Sequence, residues 1–105
     1  IQVFTKQGEF LEEFFLATST LHRGSTGGVV FSADPEQRYL IVPDFQNNTV
    51  WILNRQDGAV VGRVGSAGNY GGQFNGLHMA AVDSQGNLYT GEVFSQRVQR
   101  FLLVD

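Results

Sequence analysis

The chain has no cysteine, so neither a disulfide framework nor a thiolate metal cluster is open to it. Proline occurs twice, methionine once and tryptophan once, while glycine reaches 13 residues. Little proline with much glycine implies many tight turns between short elements. Basic residues are also few. Seven Lys plus Arg against ten Asp plus Glu give a formal charge of -3, which removes the electrostatic footprint of a nucleic-acid or anionic-membrane partner. No apolar run approaches the roughly 20 residues that a membrane-spanning helix needs. The opening "IQVFTKQGEF" lacks the basic region and apolar run of a secretion signal. Because it enters a strand-like pattern without an initiator Met, processing, an engineered start or upstream sequence is expected, and cytoplasm, periplasm and secretion all stay open.

What is present is the composition of a folding chain: 42% hydrophobic and 16% charged residues over 105 positions. At 11.6 kDa the chain is one small soluble domain or part of a larger one.

The decisive pattern is internal repetition. "YLIVPDFQNNTVWIL" (residues 39–53) lies over "NLYTGEVFSQRVQRF" (residues 87–101) at a shift of 48, matching Leu40 with Leu88, Asp44 with Glu92, Val50 with Val98 and Leu53 with Phe101. Upstream, "VVFSAD" lies over "HMAAVD" at a shift of 49, leaving one extra residue in the Asp-Pro-Glu-Gln-Arg turn. The N-terminal "IQVFTKQGEFLEEFF" matches "VWILNRQDGAVVGRV" as strand, polar turn ending in Gly8 or Gly58, and strand. The Glu pair at 12–13 would suit a helix, but the β-branched partner of that stretch makes it a strand.

Four short antiparallel strands recurring about every 40 to 50 residues are the signature of β-propeller blades. The expected fold is therefore all-β, built of four-stranded antiparallel blades in an incomplete ring. Residues 1–23 supply the third and fourth strands of one blade. Residues 24–71 form a complete blade with strands at 29–33, 39–42, 49–54 and 59–64. Residues 72–105 form a blade lacking its outer strand. Exposed terminal faces of such a pile invite association, so either the rest of the ring lies in further sequence or, if these 105 residues are the complete protein, self-association is expected, with Phe10, Phe14 and Phe15 on a terminal face.

"GQFNGLHMAAVDSQGNLYTGEVFSQRVQRF" resembles an NHL-type repeat, through its Gly72-x-Phe74 opening, Asp83, the Gly86-Asn87 turn, the acidic Glu92 and the strand with Arg97, Val98, Gln99 and Phe101. The copy at 39–53 is similar but looser, with Asp44 at the acidic position and Thr49 for the Arg. The resemblance implies a six-bladed propeller, a binding platform in many proteins and an enzyme in a minority. Among the enzymes, peptidyl-hydroxyglycine amidating lyases are the most similar, and lactonases are a further possibility. The lyase resemblance implies a zinc-binding histidine at the start of an innermost strand. His78 occupies that place, while Val29 stands at the equivalent position of the preceding copy.

His78 is accordingly the candidate ligand or metal residue, zinc or calcium being the alternative cofactors. Zinc needs about three protein ligands, and no spacing rule brings His22 to the site. Arg97 is a candidate clamp for an anion, with pairing to Glu92 or a nearby carbonyl as the structural alternative. Tyr70 is a candidate surface contact. Asp44 and Glu92 repeat just after a strand, and Asp34 and Asp83 end theirs, places where a carboxylate accepts backbone N-H groups and closes the next turn. Trp51, Phe45 and Phe94 suit packing between blades. The glycine-rich residues 65–76 imitate a phosphate loop but lead into a strand, not a helix N-terminus, and are read as a connection. Without Gly-x-Ser-x-Gly, His-Glu-x-x-His or a cysteine nucleophile, the expected function is a non-catalytic module binding a protein or a small molecule. A fragment of a zinc- or calcium-dependent propeller enzyme is the alternative.

Overall fold

The computed structural model describes residues 1–22 and 24–104. The expected segment boundaries at 23 and 105 fall outside those residues. Among the described residues the protein is all-β, with no helix and no closed barrel.

The first layer is an antiparallel hairpin, β1 (Gln2–Phe4) and β2 (Phe10–Glu13). The second is a four-stranded antiparallel sheet of β3 (Val30–Phe31), β4 (Tyr39–Asp44), β5 (Thr49–Asn54) and β6 (Val60–Val64), ordered as in sequence. A connection follows in which β7 (Ser66–Ala67) and β8 (Gln73–Phe74) pair in parallel. The third layer is a meander of β9 (Leu77–Val82), β10 (Leu88–Glu92) and β11 (Arg97–Phe101).

Strand alternation determines how the layers stack. On one face of the central sheet Leu40, Val42 and Leu53 are buried, covered by Ile1, Phe14 and Leu16 of the hairpin segment. On the opposite face Val50 packs with Phe74 and Leu77, and Ile41 and Val64 meet Leu88 and Phe101 of the third layer. Full burial of each such side chain stabilises the fold by about 1.5 to 3 kcal/mol. The two clusters share only the central sheet. The result is an all-β, incomplete propeller-like stack.

The backbone repeats along with the sequence. The β1–β2 ladder shifts register between Val3 and Phe4, and the β5–β6 ladder between Ile52 and Leu53, the aligned positions. Asn48 and Gln96, also aligned, both adopt left-handed φ values, 50° and 52°.

Three details depart from the sequence reading. The first strand of the central sheet is confined to Val30–Phe31: at the next pair the Ser32 N-H still donates to the Tyr39 carbonyl at 2.9 Å, but the Tyr39 N-H turns to the Ser32 hydroxyl at 3.0 Å. Strand β4 runs on through Pro43 to Asp44, so this carboxylate ends a strand instead of following one. Phe14 does not lie on a free terminal face. It packs on the central-sheet cluster and stacks on Gly58, whose φ of +73° and missing side chain make room for the ring. Phe10 and Phe15 remain exposed.

Candidate functional site at the strand heads

The turns after β4 and β10 lie at the same end of the stack as the start of β9. Each turn is closed by a buried carboxylate. Asp44 Oδ1 accepts the Asn47 backbone N-H at 2.9 Å, and Oδ2 accepts the Asn47 amide at 2.7 Å and the Trp51 indole N-H at 2.8 Å. Glu92 repeats this arrangement with other donors: Ser95 Oγ at 2.7 Å and the Gln99 amide at 2.9 Å, from the positions aligned with Asn47 and Trp51. It also accepts the Asn75 backbone N-H at 2.9 Å and pairs with Arg97 Nε at 2.9 Å. Burial alone would raise the Glu92 carboxyl. The hydrogen bonds from Arg97, Gln99, Ser95 and Asn75 outweigh it and hold the group down at about 2.

Arg97 makes four hydrogen bonds within the chain. Beyond Glu92, its guanidinium donates to the carbonyls of Asn69 (2.7 Å), Tyr70 (3.1 Å) and Gln73 (2.7 Å), tying the glycine-rich connection to β11. An anion would have to displace those bonds. The Tyr70 ring itself is exposed. No helix follows the connection, and β9 begins directly after it.

Asp34 and Asp83 close the outer turns, each accepting the backbone N-H of the residue four positions on, Arg38 at 3.1 Å and Asn87 at 2.9 Å. The Ser32 hydroxyl bond is the main cause that holds the Asp34 carboxyl below its ordinary value, aided by Arg38. For Asp83 it is the Asn87 side-chain amide, with the Asn87 and Gln85 N-H groups.

His78 is the second residue of β9 and is exposed. Its ring stands edge-on to Phe45, 6.2 Å between centroids, and Phe45 in turn lies 5.7 Å from Phe94. Phe94 covers Gly76, which has a φ of +73° and no Cβ to meet the ring. The segment before His78 is held by Asn48, whose Oδ1 accepts the N-H groups of Gly76 (2.9 Å) and Leu77 (3.2 Å) across the layers. A hollow of about 370 Å³ opens beside His78, with Met79, Gly91, Val93 and Val98 on its walls. Among the described residues no three His, Cys, Asp or Glu side chains come together as metal ligands. The imidazole is therefore an exposed hydrogen-bonding group at the end of a row of aromatic rings, Phe45 against it and Phe94 beyond.

A second concavity, about 530 Å³, lies where the central and third layers diverge. Ile41, Ile52, Val64, Leu88 and Phe101 give it an apolar wall, and the Asp34–Arg38 pair stands at its rim. It can hold an apolar group. Sequence reasoning passed over this space, because a gap between layers leaves no mark in either strand. Asn48 was also overlooked, although its signal was legible: an Asn in a turn, where that residue tolerates left-handed φ.

No protein-family model matches the sequence, and no curated protein matches it.

Proposed function

We propose that this chain is a non-catalytic, NHL-like propeller module that binds a protein or small-molecule ligand at the strand heads, with His78, Phe45 and Phe94 as its contact surface. One observation carries the reading. The residues with catalytic potential, Asp44, Glu92, Asp34, Asp83 and Arg97, are committed to closing turns of the chain itself. His78 is left at the surface, and among the described residues no set of three His, Cys, Asp or Glu side chains gathers there. An exposed imidazole edge-on to Phe45, with Phe94 next in the row, suits recognition through stacking and one hydrogen bond.

The test is elemental analysis of the purified chain after zinc or calcium loading, together with lyase and lactonase assays. The expected result is no stoichiometric metal and no turnover. Stoichiometric zinc that disappears in His78→Ala, or turnover of either substrate class, would overturn the reading in favour of a propeller enzyme.

A further inference from the structure

The two internal interfaces of the stack are the same interface used twice, and its two halves are also exposed at the two ends of the stack. Each sheet turns equivalent residues toward the layer before it: Leu40 and Leu53 in the central sheet, Leu88 and Phe101 in the third. Each layer turns another equivalent set toward the layer after it: Ile1 and Phe14 in the hairpin, Val50 and Val64 in the central sheet.

Within the described residues the equivalent positions at the two ends are exposed. Val98, aligned with Val50, is 74% exposed where Val50 is 0% exposed, and Met79 beside it is 65% exposed. Met79, Gly91 and Val98 form one row across the third layer, because Gly91 pairs with both. The missing side chain of Gly91 leaves the hollow of about 370 Å³ between its neighbours. At the other end Phe4, aligned with Leu53, is 49% exposed where Leu53 is 0% exposed. Phe4 pairs in register with Phe10, and their rings meet edge to face at 5.8 Å. The charges are complementary as well: exposed Glu13 lies on the hairpin and exposed Arg100 beside Val98 on β11.

We propose that two copies of this chain join head to tail, the Phe4–Phe10 face of one hairpin seating on the Met79–Gly91–Val98 face of the other copy's third layer. The aromatic pair enters the hollow over Gly91. This continues the stacking already present inside the chain, so the occupant of each free face is the layer type that covers its equivalent internally. The contact is heterologous, with different patches on the two partners, and it closes a ring or propagates. It goes beyond the binding reading above and is carried by different residues, although His78 lines the rim of the same hollow.

Light scattering and sedimentation of the 105-residue chain at micromolar concentration test the proposal, with Phe4→Asp and Val98→Asp as separate variants. Both positions are exposed in the single copy, so circular dichroism should find each variant folded. The unaltered chain should be oligomeric, and each variant should dissociate at concentrations at least about tenfold higher. The two variants mixed should recover a one-to-one complex, because Val98→Asp keeps its hairpin face and Phe4→Asp keeps its third-layer face. A monomeric unaltered chain overturns the proposal. An oligomer unaffected by either variant, or folded variants that do not complement each other, overturns it equally.

Discussion

Arg97 Nε stands 2.9 Å from Glu92 Oε2, and the carboxylate side chain of that pair has no solvent exposure while the guanidinium keeps 27%. A buried carboxylate with four donors is stable only in its charged form. Its carboxyl is lowered from 4.5 to about 2, so the unfolded chain binds the proton more tightly than the folded one. The stabilisation is therefore complete above pH 4.5 and is lost as pH falls toward 2, and the shift corresponds to about 3 kcal/mol. Urea unfolding measured across that window should give a falling acid limb. Glu92→Gln should lower stability at neutral pH and flatten the limb; an unchanged limb would mean other carboxylates carry it.

Asn48 does two things at once: its backbone takes a φ of 50° and its side chain accepts two N-H groups from the segment leading into β9. Asn48→Gly keeps the backbone conformation and removes the acceptor. It should destabilise the chain by about 1 to 3 kcal/mol, since two buried donors lose their partner. Asn48→Asp restores an acceptor and should recover most of the loss. Thermal unfolding of the pair separates the hydrogen bond from the turn.

Thr90 is buried, and its hydroxyl has no hydrogen-bond partner among the described residues. The aligned position in the central sheet is Val42, also buried. Thr90→Val replaces the hydroxyl with a methyl of similar size and should raise stability by about 1 kcal/mol. Thr90→Ala should lower it by leaving a space. A destabilised Thr90→Val variant would mean that the hydroxyl is satisfied in solution.

The stacked, all-β architecture was legible because hydrophobic alternation and turn residues repeat together: Leu40 with Leu88, and Leu53 with Phe101, fix which face each sheet turns to the layer before it. The carboxylates Asp44 and Glu92 were legible for the same reason, and their neighbours accept the roles through different chemistry, Trp51 in one copy and Gln99 in the other. Contacts between layers were not legible. That Phe14 seats on Gly58, or that Phe45 lies edge-on to His78, depends on the distance between sheets, which no periodicity within a strand encodes.

Because the hairpin touches one hydrophobic cluster and the third layer the other, the stack behaves as a short one-dimensional chain of coupled units. Its outer layers each lean on a single neighbour, whereas β4 and β5 are supported from both sides. Amide exchange should follow that arithmetic of neighbours: the hairpin opens and recloses while the middle stays shut, and amides such as those of Val42 and Leu53 exchange only when every layer has come apart. The slowest clock in the molecule sits in the strands farthest from either end.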